Sequence, residues 1–326
     1  MSPDPVFITG ASGFVGGALA RALIADGVAV RALVRSESSA AAVEALGAEA
    51  VRGNLDDPAS IQAGAEGSAL AFHAAALPVE WGTRAEFEAA NVTGTANALG
   101  GCRAAGVGRF VHVGTEAACF AMKPLVRIDE TAPLRPDSPM LYAATKARAE
   151  QLVVAANRDG FETVVLRPRL VWGPGDATVL PGIAAAVEAG RFTWVGGGRH
   201  LTSTTHIDNV VLGLRLAAEK GRPGEAYFVT DGEPVVFRDF ITRLLATRGI
   251  TPPDRNVPAV LARVAAIVGE ALWSRLPLPG VPPVTRTAYF LTANEVTIDI
   301  SKAREELGYE PRISVEQGLA ELAAAS

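Results

Sequence analysis

Short apolar runs alternate with longer stretches of helical spacing through the first half of the chain. Val6-Phe7-Ile8-Thr9 is an unbroken apolar run closed by Gly10, the pattern of a strand buried on both faces. Phe14 to Ala25 carries helical spacing, and Val28 to Val34 predicts a second strand. A helix over Ala40 to Leu46, a short strand at Ala50 to Arg52, a helix over Ser60 to Ala65 and a strand at Ala69 to His73 continue the alternation. A long helix over Glu86 to Ala105, a strand at Arg109 to Val113, a helix over Leu141 to Asn157 and a strand at Thr163 to Leu166 complete it. Repeated β-α units predict an α/β fold built on a doubly wound parallel sheet.

Beyond about Arg167 the alternation stops. Turn-forming stretches appear at Gly173-Pro174-Gly175-Asp176 and Gly196-Gly197-Gly198, and a proline-rich stretch runs from Leu276 to Pro283. This half reads as a smaller, discontinuous substrate domain. The predicted partition is residues 1–175 with about 203–220 for the cofactor domain, and about 176–202 with 221–326 for the substrate domain.

The first candidate chemistry sits between the first strand and the first helix. Gly10-Ala11-Ser12-Gly13-Phe14-Val15-Gly16 is a G-x-x-G-x-x-G run. Glycines at that turn let backbone N–H groups approach a pyrophosphate at a helix N-terminus. Gly10, Ser12, Gly13, Phe14 and Val15 are therefore candidate cofactor residues in a Rossmann-type site. The second strand ends in Leu33-Val34-Arg35-Ser36, with no acidic residue to accept ribose hydroxyls. Arg35 suits a 2′-phosphate, with Arg31 or Ser36 as helpers, and predicts NADP, with NAD as the alternative.

Tyr142 and Lys146 stand four residues apart, on one face of the predicted helix. A phenol with a pKa near 10 shuttles protons poorly at neutral pH. A neighbouring ammonium stabilises its phenolate, so the pair can exchange a proton with an alcohol or a ketone.

These motifs and the C-terminal half resemble the extended short-chain dehydrogenases/reductases. The resemblance covers nearly the whole chain. It implies that Thr115, closing the fifth strand, completes a catalytic set with Tyr142 and Lys146. It also implies that Lys146 binds the nicotinamide ribose. Asn54 and Leu55 would meet adenine, and Ala74, Ala75 and Ala76 would line the cofactor. The stretch around Pro168, Leu170 and Val171 would pass the nicotinamide, and Asn91 would tie a helix to a strand. Glu116 is read as a solvated loop residue, with a second polar group of the site as the alternative. Glu116, Arg169 and His206 are candidate substrate contacts. Within the superfamily, Arg167 to Asp176 and Ser203 to Asn209 are most similar to the 3β-hydroxysteroid dehydrogenase/isomerase-like branch. That branch includes sterol-4-carboxylate dehydrogenases and 2-alkyl-3-keto acid reductases.

Composition narrows the functions further. Net charge is −5, from 30 basic and 35 acidic residues, which argues against a nucleic-acid partner. Cys102 and Cys119 carry no CxxC pattern and read as core residues. The four histidines show no metal-ligand spacing, and His112, inside a strand, reads as a satisfied buried histidine. The N-terminus lacks the basic region of a signal peptide, and no apolar run is long enough to span a bilayer, so a cytoplasmic location is expected. Arg191, Arg199 and Arg243 form no clear diphosphate clamp. The apolar stretch from Val260 to Leu278 suits a hydrophobic, lipid-like or polycyclic substrate. Its other readings are a plain core and an interfacial helix touching a membrane. A homodimer stays open. The expected activity is an alcohol/ketone oxidoreductase, with a sugar-nucleotide epimerase or dehydratase and a redox-silent NADP sensor as alternatives.

Overall fold

A computed structural model describes residues 4–79, 81–276 and 278–325. Seven strands form one parallel sheet: β1 (Val6–Thr9), β2 (Val30–Val34), β3 (Glu49–Arg52), β4 (Leu70–His73), β5 (Arg109–Val113), β6 (Glu162–Pro168) and β7 (Ala226–Val229). Their order is β7-β6-β5-β4-β1-β2-β3. The chain therefore runs outward from β1 through β2 and β3, then returns to the other side of β1 as β4. Such a reversal opens a crevice at the carboxyl ends of β1 and β4.

Both faces of the sheet are covered, which is why β1 has no polar alternation. The Phe14–Ala25 and Ile207–Lys220 helices bury Leu19, Leu23, Val210 and Leu214 against one face. The Pro58–Ala65, Gly94–Ala104 and Leu141–Ala156 helices bury Ile61, Ala98, Cys102 and Val153 on the other.

Several elements differ from the sequence expectation. Val28 does not open β2, because its N–H donates to Leu23 O (3.0 Å) and closes the preceding helix. The expected helix from Glu86 to Ala105 begins at Arg84, behind a capping box formed by Thr83 and Glu86, and is interrupted by a wider π turn at Glu88–Thr93. That turn holds the buried Asn91. Its side chain accepts from Leu77 N (2.7 Å) and donates to Thr145 Oγ1 (3.1 Å). β7 lies outside the segments expected for the cofactor domain, yet it pairs in parallel with β6 (Phe228 opposite Arg167). A four-residue apolar run has no signature that separates it from a small domain's core.

The second lobe surrounds Trp172, Trp194 and Phe240 with the Val179–Glu188, Phe237–Ala246 and Val315–Ala324 helices. A four-stranded sheet joins it to the first lobe, in the order Val235–Val236, Leu201–Thr202, Val296–Ile298, Leu125–Ile128.

Candidate active site

The nucleotide-side candidates lie past the carboxyl ends of successive strands: Gly10 after β1, Arg35 after β2, Asn54 and Leu55 after β3, Ala74 to Ala76 after β4. Pro168 ends β6, with Leu170 and Val171 just beyond. Gly10 has φ +78°, and a Cβ there would lie 2.5 Å from Ala75 N. A Cβ on Gly16 would lie 2.3 Å from Gly10 O. Only glycine fits either place. Gly13 caps the first helix with no side-chain hydrogen bond and no acidic residue in the first turn. The helix therefore presents its first N–H groups and its positive end to the crevice.

Arg35 is exposed and shows no hydrogen bond or ion pair among the described residues. Its two expected helpers are otherwise engaged. Arg31 pairs with Glu49 (3.3 Å) and donates to Glu66 O (2.9 Å), while Ser36 caps the Glu37–Glu44 helix.

The catalytic candidates meet beyond β5. Thr115 caps a short 3-10 turn, Glu116–Cys119, against which the Leu141–Ala156 helix packs. The Tyr142 phenol lies beside the Thr115 side chain. Burial, reinforced by the Glu116 charge, pushes the Tyr142 phenol well above its usual range. Lys146 Nζ donates to Val113 O (2.7 Å) and sits 3.1 Å from His112 Nε2. Burial lowers the Lys146 ammonium to about 8, against a smaller upward pull from Glu150. Burial, then Lys146 and His73, holds His112 well below the ordinary histidine range. A neutral His112 can accept the Lys146 hydrogen bond.

Glu116 is not a solvated loop residue. It is 3% exposed and accepts from Thr115 Oγ1 (2.7 Å) and Arg169 Nη1 (2.7 Å). Arg169 is 1% exposed, and its other terminal nitrogen donates to Thr202 Oγ1 (3.1 Å). The guanidinium expected to face substrate is thus committed to an internal carboxylate. Its partner lies 53 residues away in sequence, and nothing local to either residue signals the pair. Leu170, the residue after Arg169, takes a φ of +42°, and Arg169 N donates to Thr205 Oγ1 (3.0 Å). His206 is fully buried. It caps the Ile207–Lys220 helix and packs edge-on to Trp172.

An apolar wall flanks Tyr142. Ala117, Phe120, Met140 and Phe290 are buried there, with Met122 and Leu291 packed against them. Arg243, one of the diphosphate candidates, is paired with Glu316. Cys102 and Cys119 are free and buried, and burial lifts their thiols to about 12 and about 11.

The profile of the 3-beta hydroxysteroid dehydrogenase/isomerase family matches residues 7–259. The chain belongs to this family. Among curated members, a 4-hydroxy-2-methyl-3-oxo-4-farnesyl-3,4-dihydroquinoline-1-oxide ketoreductase of Stigmatella aurantiaca is 49% identical over 314 residues, 96% of this chain and 94% of the relative. A 2-alkyl-3-oxoalkanoate reductase of Stenotrophomonas maltophilia is 37% identical, over 98% of this chain and 99% of the relative. The crystal structure of gox2253 superposes with a TM-score of 0.77 at 28% identity, covering 99% of both chains. The family member described here is an oxidoreductase of the extended short-chain dehydrogenase/reductase architecture, acting between CH–OH and C=O.

Proposed function

We propose that this enzyme reduces a ketone on a largely apolar body, with Tyr142 as the proton donor and NADP as the cofactor. The observation that carries the reading is Tyr142, set beside Thr115 and packed against the Phe120/Phe290 wall.

The residues present fit a dinucleotide. The cradle at Gly10 and Gly16 admits no Cβ, and the Gly13-capped helix offers unpaired N–H groups to a diphosphate. Gly10, Ser12, Gly13, Phe14 and Val15 would hold that diphosphate, and Arg35 the 2′-phosphate. Asn54 and Leu55 would lie at adenine. Ala74 to Ala76, Pro168, Leu170 and Val171 would line the rest. When bound, the cofactor supplies the hydride.

The chain's own residues manage the proton. Tyr142 gives its phenolic proton to the carbonyl oxygen as that oxygen gains charge. A phenol is protonated at neutral pH, as donation to a ketone requires. Thr115 positions the reacting oxygen beside Tyr142. Lys146 places a positive charge behind the pair and would bind the nicotinamide ribose. Met122 and Leu291, only partly buried against that wall, would meet the substrate body, which gains about 25 cal/mol per Å² on leaving water. Relatives named for a farnesylated quinoline oxide, a 2-alkyl-3-oxoalkanoate and a sterol carboxylate support an apolar substrate.

The test is NADPH consumption with hydrophobic ketones, and product analysis with UDP-sugars, on wild type and Tyr142→Phe. We expect turnover of hydrophobic ketones, reduced by about 10²–10⁴-fold in Tyr142→Phe with cofactor binding retained. Conversion of a UDP-sugar alone, or wild-type turnover in the variant, overturns the proposal.

A further inference from the structure

The Ala259–Arg275 helix is turned the opposite way from a helix that packs to bury its bulk. Its fully inward residues are small: Ala262 and Ala266 rest on Val195 and Tyr289. Its large apolar side chains point outward. Val260 is 71% and Leu261 60% exposed, and Val264, Ile267, Val268 and Leu272 share that face. The segment that follows adds Leu276 and Val281. Nine of the fourteen large hydrophobic residues exposed among those described fall between residues 260 and 281. A concentration of this kind marks a binding surface.

The charges around this face are mainly basic, and the exposed acid beside it, Asp254, is paired with Arg238. Arg255, Arg263 and Arg275 are exposed, and Arg263 and Arg275 show no partner among the described residues. The helix has one acidic residue, Glu270. It is turned inward, where it accepts from Arg286 N (2.6 Å) and pairs with the Arg286 guanidinium (3.3 Å). A cationic apolar face on a chain of net charge −5 is complementary to an anionic lipid surface. A second copy would instead bring like charges together. No helix among the described residues is long and apolar enough to cross a membrane, so the face can lie on a bilayer but not span it.

We propose that the Ala259–Arg275 face docks on an anionic bilayer and receives the apolar substrate from it. Met122 packs both against the cluster holding Ala262, Ala266 and Tyr289 and against the Phe120/Phe290 wall at Tyr142. The inner side of the docked helix therefore adjoins the apolar side of the active site. The substrate half of this proposal rests on the apolar-substrate reading above; the docking half does not.

The test is co-sedimentation, without substrate or cofactor, with vesicles of phosphatidylglycerol and phosphatidylcholine against vesicles of phosphatidylcholine alone. Wild type should pellet with the anionic vesicles. Arg263→Gln should weaken that partition about fivefold, and Val264→Glu at least about tenfold. Both replace exposed side chains, so an unchanged thermal melt separates lost docking from lost fold, and Arg263→Gln carries the test if Val264→Glu unfolds. No vesicle binding, or equal binding to neutral vesicles, overturns the proposal. So does a wild-type dimer that Val264→Glu converts to a monomer, because the face then belongs to a second copy. Since no substrate is present, failure here leaves the ketone reading standing. Failure of ketone turnover leaves the vesicle result standing.

Discussion

Thr115 has one hydroxyl proton, and Glu116 accepts it at 2.7 Å while Arg169 neutralises that carboxylate from the other side. Removing one member of a buried ion pair leaves an uncompensated charge, at a cost of about 3–5 kcal/mol. Glu116→Gln should therefore lower the melting temperature. It should also lower the pH at which Tyr142 ionises, because the Glu116 charge is one of the two causes holding that phenol up. The double variant Glu116→Gln/Arg169→Met should recover stability while keeping the shifted pH–rate profile. Unchanged stability and an unchanged profile in Glu116→Gln would remove the pair from any role at Tyr142.

At the level of elements, the carboxyl end of β4 is stitched by His73. Its Nδ1 lies 2.6 Å from Thr9 Oγ1 on β1, and its Nε2 lies 3.1 Å from Thr95 Oγ1 on the Gly94–Ala104 helix. Burial, then the Lys146 charge, depresses His73 to about 3 from an ordinary 6.5. The folded state thus binds this proton less readily than the unfolded state. The resulting stability is present above about 6.5 and is lost as pH falls toward 3. His112 is shifted the same way. Thermal melts should drop steadily below about pH 6.5. His73→Gln should melt lower than wild type at neutral pH but lose less on acidification. The end of β2 makes a second prediction. A charge-assisted bond from Arg35 to a 2′-phosphate is worth about 10- to 150-fold in affinity. Arg35→Asp should reverse the preference toward NAD in binding titrations. Wild type that binds NAD as tightly as NADP would show that the strand end does not select the cofactor.

Asp231 holds the two lobes and the C-terminal segment together. One of its oxygens accepts from Trp172 Nε1 (2.8 Å) and Thr204 Oγ1 (2.8 Å), the other from His206 N (2.6 Å) and Asn209 Nδ2 (2.8 Å). Asn209 in turn binds Arg312 N, Ile313 N and Ile313 O. Asp231→Ala orphans several of these donors at once and should cost about 2–4 kcal/mol. A urea midpoint shifted downward with an unchanged slope would report this, and an unshifted midpoint would refute it.

What could be read along the chain was local. The β-α alternation follows from side-chain period, and the glycine loop from backbone conformations that only glycine tolerates. The Tyr142/Lys146 pair follows from the pitch of one helix, because residues four apart share a face. Tertiary structure decided whatever depends on distant segments meeting. Glu116 looks like any loop carboxylate until Arg169 returns beside it, and Arg31 looks available until Glu49 claims it on the neighbouring strand. Ala226–Val229 becomes a strand of the large sheet only by pairing with β6. The apolar residues between 260 and 278 left core, lining and interface open. Their outward direction was settled only when Ala262 and Ala266 took the inward face, since a helix's period says which residues lie together and its neighbours decide which way they point.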